Sequence, residues 1–181
     1  MRVVAGDLRG RRIEAPISDA TRPTTDKVRQ AVFNALGSLD VVDGARVLDL
    51  FAGTGAMGIE ALSRGAAHCV FVERDRDALV ILKKNIAALG LSDCSTVLAL
   101  DATTAASRQF DIDLIIADPP YGFDQWHDLL VDADAACVVL ESDRAVGEIE
   151  GWETIREKKY GRTYVAFLQP ADAPDGTVED E

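Results

Sequence analysis

Residues 48–58, LDLFAGTGAMG, decide the fold, because they join an apolar run to a helical pattern through a glycine-rich turn. Gly53, Gly55 and Gly58 match the spacing G-x-G-x-x-G, which lets the backbone approach a bound nucleotide or nucleoside closely. Glu73 follows the next apolar run, where an acid can accept hydrogen bonds from ribose hydroxyls. This pattern alone fits a dinucleotide oxidoreductase, an enzyme with an adenosyl cofactor, or a tight turn without a ligand.

Short apolar runs alternate with amphipathic patterns from about residue 44 onwards. The predicted strands are ARVLDLF, HCVFVE, STVLAL, IDLIIAD and ACVVLE, and the predicted helices are GAMGIEALSRG, closed by Gly65, and RDALVILKKNIAALG. Near-continuous apolar strands separated by helices are typical of a parallel sheet that is covered on both faces. The later stretch WETIREKKYGRTYVAFLQ has two alternating strands without a helix between them, which predicts an antiparallel hairpin at one sheet edge. The predicted fold class is α/β, doubly wound and mostly parallel.

The first 38 residues have a different pattern. MRVVAGDLRGRRIEAP predicts a short β-hairpin around a glycine-containing turn. TRPTTDKVRQAVFNALG predicts a helix that is capped by Thr24 or Thr25 and ends at Gly37. The apolar face of this helix consists of Val28, Val32 and Leu36.

The ends of four successive predicted strands carry a carboxylic acid: Asp49, Glu73, Asp101 and Asp118. Ligands of open α/β sheets bind at this edge. A carboxylate at Asp49, just before the glycines, would repel a pyrophosphate but attract the cationic amino-acid end of S-adenosylmethionine. Asp101 is well placed to accept a hydrogen bond from an adenine amine. Each acid alone could be an ordinary helix N-cap, and four in a row favour a ligand site.

Residues 115–122, IIADPPYG, stop the fourth strand at an acid followed by two prolines, neither of which has an N–H for the sheet. The exocyclic amine of a nucleobase is a poor nucleophile, and two acceptors aimed at its N–H groups favour the geometry in which it attacks a methyl group. The Asp118 carboxylate and the Pro119 carbonyl can supply these acceptors from a rigid turn. Tyr121 offers a face for the base, and such stacking is worth about 1–3 kcal/mol. The alternative is a proline-rich turn with a capping Asp and a packed Tyr.

The composition bounds the class of protein. The chain has 181 residues, of which 48% are apolar and 28% charged, which suits one domain with its own core. No apolar run approaches the roughly 18 residues that a membrane span needs, and the N-terminus lacks a signal-peptide core, so we expect a cytoplasmic protein. Cys69, Cys94 and Cys137 have no metal-ligand spacing, so we expect reduced thiols and no metal.

The charge of the chain is uneven. The net charge of −12 argues against a general nucleic-acid coat. Residues 1–30 nevertheless carry seven basic and four acidic side chains. A basic end on an acidic body indicates a local contact with a polyanion, and a solvated basic hairpin is the alternative.

The segments DLFAGTGAMGIEALSRGA and DPPYG resemble the class I S-adenosylmethionine methyltransferases that act on amino groups. RVVAGDLRGRRI and TRPTTDKVRQAVFNAL resemble a narrower family, the bacterial small-subunit (16S) ribosomal RNA guanine-N2 methyltransferases, and the likeness extends from residue 2 to about residue 168. The resemblance implies a seven-stranded Rossmann-like sheet whose last strand is antiparallel. It predicts an RNA-contacting extension (1–38), a methyltransferase domain (39–170) and an acidic flexible tail (171–181).

The resemblance also implies roles for individual residues. S-adenosylmethionine would be the cofactor, with Glu73 at the ribose and Asp101 at the adenine, in a binding set that consists of Asp49, Phe51, Gly53, Gly55, Glu73, Arg74, Asp101 and Ala102. Asp118, Pro119 and Tyr121 would be the catalytic residues that hold the target guanine. RNA would be contacted by Arg9, Arg11, Arg12 and Arg22. The implied partner is ribosomal RNA within the small subunit or its assembly intermediate, and we expect a monomer without a membrane partner.

Other functions stay open at this point, because the chemistry at the amine nitrogen is shared among several acceptors. Adenine or cytosine in DNA and a protein glutamine are alternatives to guanine. A nicotinamide-dependent oxidoreductase and an RNA-binding module with a vestigial pocket are two further hypotheses.

Overall fold

The computed structural model of the protein describes residues 1–15, 26–108 and 110–171. Its helices are α1 (Asp26–Ser38), α2 (Ala56–Ser63), α3 (Arg76–Leu89), α4 (Ala102–Ala106) and α5 (Trp126–Leu130), with a short 3-10 helix at Ser92–Cys94. Its strands are β1 (Arg46–Leu50), β2 (His68–Val72), β3 (Ser95–Leu98), β4 (Leu114–Ala117), β5 (Cys137–Ser142), β6 (Trp152–Tyr160) and β7 (Thr163–Pro170).

The seven strands form one sheet in the order β3-β2-β1-β4-β5-β7-β6. Strands β1 to β5 are parallel, and β7 runs antiparallel to both of its neighbours, β5 and β6. The predicted antiparallel hairpin at one sheet edge is therefore confirmed. The strand order reverses between β1 and β4, where Leu50 lies opposite Ala117. Such a reversal opens a crevice at the carboxyl ends of the two strands, which is where ligands bind in sheets of this kind.

Apolar side chains cover both faces of the sheet. One face packs against α1, α2 and α3, and Phe33, Ile59 and Leu82 are buried there. The other face packs against α4 and α5 through residues such as Ala105 and Leu129. This burial on both faces explains why the central strands read as continuous apolar runs. Within the three described ranges, no helix is long and apolar enough to cross a bilayer.

The N-terminal segment differs in detail from the sequence-based expectation. The two predicted hairpin segments lie antiparallel, and the N–H groups of Val3 and Ile13 donate to the carbonyls of Arg11 and Met1, each over 3.0 Å. The pairing is too short to form regular strands, so this part of the chain is a hairpin-like loop. Helix α1 buries its predicted apolar face but ends at Ser38 instead of Gly37. The Ser38 hydroxyl donates to the carbonyl of Ala35 over 2.7 Å, which helps to satisfy the last turn. The predicted caps Thr24 and Thr25 lie outside the described residues.

Helix α2 holds this N-terminal loop against the domain. The buried carboxylate of Glu60 accepts hydrogen bonds from the backbone N–H groups of Val4 (2.8 Å) and Ala5 (3.0 Å). The Ser63 hydroxyl donates to the Ala5 carbonyl over 2.6 Å. Gly6 has φ +78°, and a Cβ at this position would overlap the backbone of Ser63. The loop therefore approaches α2 at a distance that only glycine allows.

Candidate functional site

A cleft of about 1660 Å³ lies at the carboxyl ends of the parallel strands. Its walls include the glycine loop after β1, the end of β2, the start of α4, the turn after β4 and the β6–β7 turn. The cleft thus occupies the crevice at the strand-order reversal. A second, smaller cavity of about 410 Å³ is lined by Arg108 and Asp111 among others, and it contains no residue that the sequence predicted for a site.

The glycine loop has a backbone conformation that ordinary residues rarely adopt. Phe51, Gly53 and Gly55 have φ values of +62°, +55° and +90°. The loop is fixed at one side by the Ala52 N–H, which donates to the Val72 carbonyl of β2 over 2.9 Å. A Cβ at Gly58 would overlap the Phe71 ring, so this third glycine lets α2 pack closely on β2. The predicted loop is present and lines the cleft with its backbone.

Asn85 of α3 joins the glycine loop to the N-terminal segment. Its side chain is buried, and its Nδ2 donates to the carbonyls of Thr54 (2.9 Å) and Glu14 (3.0 Å). Its Oδ1 accepts from the Glu14 N–H over 2.8 Å. Glu14 and the following Ala15 line the cleft beside the loop. No sequence pattern indicates this role, since Asn85 has the pattern of an ordinary polar residue in an amphipathic helix.

Asp49 lies at the bottom of the cleft and is 1% exposed. Its carboxylate accepts a hydrogen bond from the Gly58 N–H over 2.8 Å. Burial raises the pKa of Asp49 to about 8, the negative charges of Asp118 and Glu73 act in the same direction, and the Gly58 hydrogen bond partly opposes them. A carboxyl group in this position favours a cation that displaces its proton.

Glu73 follows β2 and holds its carboxylate against the glycine loop. One oxygen accepts from the Gly53 N–H over 2.8 Å. The other oxygen accepts from the N–H groups of Arg74 (2.8 Å) and Asp75 (2.7 Å). Because each carboxylate oxygen has two lone pairs, the first oxygen keeps capacity for a ligand hydroxyl. The predicted ribose acid is therefore fixed in orientation at the cleft wall.

Asp101 has the capping role that the sequence left open. It is the N-cap of α4 and accepts hydrogen bonds from the Thr103 N–H (3.0 Å) and the Thr103 hydroxyl (2.6 Å). The hydroxyl hydrogen bond is the main cause that holds the pKa of Asp101 below its usual value. Arg74 lies 3.0 Å from the same carboxylate across the rim of the cleft. Asp101, Arg74 and the buried Ala102 all line the cleft, and their contact with a cofactor stays a prediction.

The Asp-Pro-Pro-Tyr motif forms the opposite wall. Asp118 and Pro119 are half-buried, and the Tyr121 side chain is exposed, with 61% of its surface accessible. All three residues line the cleft. The Tyr121 ring has an open face, so it can stack on the planar ring of a nucleobase. The alternative interpretation, a proline-rich turn with a packed tyrosine, does not agree with this exposed side chain.

Two further aromatic residues support this wall. The Phe123 ring packs edge-to-face against Phe51 of the glycine loop at 5.2 Å and against Trp126 at 4.8 Å, measured between ring centroids. Both Phe123 and Trp126 line the cleft. Sequence reasoning missed Phe123, although an aromatic residue directly after DPPYG is a usable signal.

Three of the predicted RNA-binding arginines, Arg9, Arg11 and Arg12, are not among the residues that line the cleft. Arg9 and Arg12 are exposed on the N-terminal loop. Arg11 donates from Nη2 to the Ala88 carbonyl at the end of α3 over 3.2 Å. Arg22 lies outside the described residues. The structure brings three of the four arginines together on one loop, and their contact with RNA stays a prediction.

Comparison with known proteins gives consistent matches over nearly the whole chain. Residues 1–169 match the family described as "Conserved hypothetical protein 95". The Bacillus subtilis (strain 168) protein named "Putative rRNA methyltransferase YlbH" is 41% identical over 93% of this chain and 98% of its own length. "Ribosomal RNA small subunit methyltransferase D" of Escherichia coli (strain K12) is 36% identical over 93% of this chain and 89% of its own.

The solved structures agree with these sequence relatives. The structure named "Putative methyltransferase yhhF from Escherichia coli" has a TM-score of 0.80 and 33% identity, and the match covers 94% of this chain and 97% of that one. The predicted class I methyltransferase fold is thereby confirmed.

Proposed function

The chain belongs to the family described as Conserved hypothetical protein 95, and we propose that it transfers a methyl group from S-adenosylmethionine to the N2 amine of a guanine in small-subunit (16S) ribosomal RNA. The observation that carries this proposal is the position of Asp118 and the exposed Tyr121 beside the glycine loop, in one cleft. The relatives named as ribosomal RNA methyltransferases support the substrate class.

The charge of the cleft supports a cationic cofactor. Nine carboxylic acids and two arginines are among its described lining residues. A dinucleotide would bring its negative pyrophosphate to this wall, whereas S-adenosylmethionine brings a sulfonium and an ammonium group. The methyltransferase relatives point in the same direction and argue against the nicotinamide-dependent oxidoreductase.

Each predicted cofactor residue has a place in this proposal. Glu73 would accept hydrogen bonds from the ribose hydroxyls, and Asp101 from the adenine amine. Asp49 would face the ammonium end of the methionine part. Phe51, Gly53 and Gly55 would follow the cofactor with their backbone, with Arg74 and Ala102 at the adenine side.

The Asp-Pro-Pro-Tyr wall would act on the guanine. The Asp118 carboxylate and the Pro119 carbonyl accept from the two N–H groups of the amine, so that its lone pair points at the methyl carbon. The amine nitrogen would take the methyl carbon while the sulfonium leaves as a neutral thioether, and the proton released from the nitrogen would pass by way of the Asp118 carboxylate to solvent. The sulfonium cofactor already supplies the activated methyl group, so the protein contributes mainly position and a fixed polar environment. Stacking on Tyr121 would offset part of the few kcal/mol that unstacking the base costs.

Labelled methyl transfer tests the proposal and its alternatives. The protein is incubated with methyl-labelled S-adenosylmethionine and, separately, with small ribosomal subunits, 16S RNA, DNA and a protein extract. We expect label in the ribosomal samples, recovered as N2-methylguanosine after digestion and mass spectrometry. Label in DNA or protein alone would contradict the RNA substrate. Tight RNA binding without product would favour the non-enzymatic module.

The pH dependence of cofactor affinity tests the position of Asp49. The raised pKa of about 8 means that Asp49 carries a proton in the free protein at pH 6 to 7, and an arriving ammonium group favours the ionised form. Binding should therefore release a proton, and affinity should rise by up to about tenfold per pH unit below the pKa. Calorimetry between about pH 6 and 7.5, in buffers of different ionisation enthalpy, measures both effects.

The Asp49→Asn variant should lose this proton release and bind with a flat pH profile. Asp93→Asn, at an exposed aspartate outside the cleft lining, is the matched control and should behave as the wild type. A pH dependence that persists in Asp49→Asn would place the titrating group elsewhere.

A further inference from the structure

The charge of the cleft raises a difficulty for an RNA substrate. Nine acids line it in the described part of the chain, and Arg74, one of the two lining arginines, is paired with Asp101 at 3.0 Å. A phosphate backbone that brings a guanine to Asp118 must pass this negative rim. The other lining arginine is Arg162, in the turn between β6 and β7.

The topology places this turn at the cleft. β6 is antiparallel to β7, which is antiparallel to β5, so β6 runs in the same direction as the parallel strands. Its last residue, Tyr160, therefore reaches the same sheet edge as Asp118. The turn continues through Gly161, with φ +63°, and its four residues 160–163 all line the cleft.

The end of this hairpin is basic. Lys158, Lys159 and Arg162 are exposed, and Glu157 is the one acid among residues 156–162. The Lys159 ammonium lies 4.7 Å from the centroid of the Tyr164 ring, a cation–π contact. Within the described ranges, neither Lys158 nor Arg162 forms a salt bridge. These two charges are thus available to an external anion.

Lys158 lies on the face of β6 that packs toward the core. Side chains alternate along a strand, so Lys158 shares a face with Tyr160, which packs against the core cluster beneath α1, α2 and α3. Lys158 lies opposite Val165, whose side chain belongs to that cluster. Lys158 therefore precedes Tyr160 on the same face of β6, and Arg162 follows Tyr160 in the turn that lines the cleft.

We propose that this hairpin end, residues 158–163, binds the RNA phosphates next to the guanine that enters the cleft. The inference rests on the proposed function and adds a basic contact at the cleft itself, since Arg162 lines the cleft, whereas Arg9, Arg11 and Arg12 do not. Lys158 and Arg162 bind phosphate oxygens through charge-assisted hydrogen bonds, and they position the strand without reading its sequence.

A second explanation for the lysines is protection of the sheet edge. β6 is an edge strand, and lysines on such strands hinder pairing with another chain. Arg162 lies in the turn, outside the strand ladder, and this explanation does not account for it. The two explanations predict different behaviour of the same variant.

The test compares Lys158→Ala/Arg162→Ala with Arg46→Ala/Arg108→Ala. This control removes the same charge at two exposed arginines outside the cleft lining, of which Arg46 begins the central strand β1. Binding of a 16S RNA fragment is measured over a range of salt concentrations, together with kcat and KM for methylation and the affinity for S-adenosylmethionine. For the hairpin variant we expect an RNA KM that is raised about tenfold and an unchanged cofactor affinity. Its log K against log salt slope should be less negative by about 1.4 to 2, since each lost phosphate contact removes about 0.7 to 1.

The outcomes separate this inference from the proposed function. Wild-type protein that does not methylate ribosomal RNA contradicts the proposed function itself. An active wild type whose hairpin variant keeps the wild-type KM and salt slope overturns the inference alone. A hairpin variant that aggregates while its monomeric fraction binds RNA normally would assign the lysines to edge protection. The single variant Arg162→Lys keeps the positive charge, so it should retain most of the RNA binding that the double alanine variant loses.

Discussion

Replacing Asp118 with alanine is expected to lower kcat for methyl transfer by a factor of about 10² to 10³ and to leave cofactor binding intact. The carboxylate is one of the two acceptors proposed to orient the guanine amine, and removing one preorganised polar partner from a reaction centre costs about this much. Asp118 is half-buried at the end of β4 and lines the cleft, so its loss leaves the core packing unchanged.

Single-turnover kinetics with bound RNA and calorimetry with S-adenosylmethionine measure the two effects separately. The charge of Asp118 contributes to the raised pKa of Asp49, so its removal should lower that pKa and should not weaken cofactor binding at neutral pH. Asp124→Ala, at an exposed aspartate of the same loop, is the control and should keep the wild-type kcat. If Asp118→Ala loses cofactor affinity and kcat together, the residue belongs to the cofactor site and not to the base.

The strand ends could be predicted from the sequence because their signals are local. β1, β2 and β4 are buried on both faces, so each reads as an apolar run. An acid follows β2 and β4 directly, another lies at the penultimate position of β1, and parallel strands bring these acids to one edge. Glu73 is close to the glycine loop in space for this reason, although it is distant in sequence. The β6–β7 hairpin was equally visible, since its two strands alternate around one turn.

The sequence could not decide what an individual acid does. Asp101 has the same pattern whether it caps a helix or accepts from a ligand, and the structure shows that it caps α4 while facing the cleft. The capping hydrogen bonds leave its adenine contact a prediction. The basic end of the hairpin was missed because lysines on an alternating strand look like an ordinary solvated face.

Contacts between residues that are far apart in the chain could not be predicted from the sequence either. Glu60 reads as a polar residue of a short helix, yet it binds Val4 and Ala5 at the start of the chain. Neither periodicity nor spacing links residues that far apart. The same holds for Asn85 and Glu14. The contacts that hold the N-terminal segment beside the site are therefore evident only from the three-dimensional structure.

Glu60→Ala is expected to destabilise the protein by about 3–5 kcal/mol, because it breaks a buried charge network. Glu60 and Arg29 are both 0% exposed, and Arg29 Nε lies 3.4 Å from the Glu60 carboxylate. The same carboxylate accepts from Arg64 Nε over 2.8 Å and from two backbone N–H groups of the N-terminal loop. Removal would leave Arg29 with Asp26 as its remaining carboxylate partner, and that residue is largely exposed.

Urea unfolding, followed by circular dichroism, measures the change in the free energy of unfolding from the shift in midpoint at constant slope. Glu148→Ala removes an exposed glutamate and should change stability by no more than about 0.5 kcal/mol. Glu60→Gln keeps the volume and one acceptor oxygen, so its loss of stability should fall between those of Glu60→Ala and Glu148→Ala.

Because Glu60 also holds the loop that carries Arg9 and Arg12, the alanine variant should bind 16S RNA more weakly even where it remains folded. A Glu60→Ala protein as stable as Glu148→Ala would show that the N-terminal loop is held by its apolar contacts, chiefly Val3 and Ile13, and that the ion pairs contribute little.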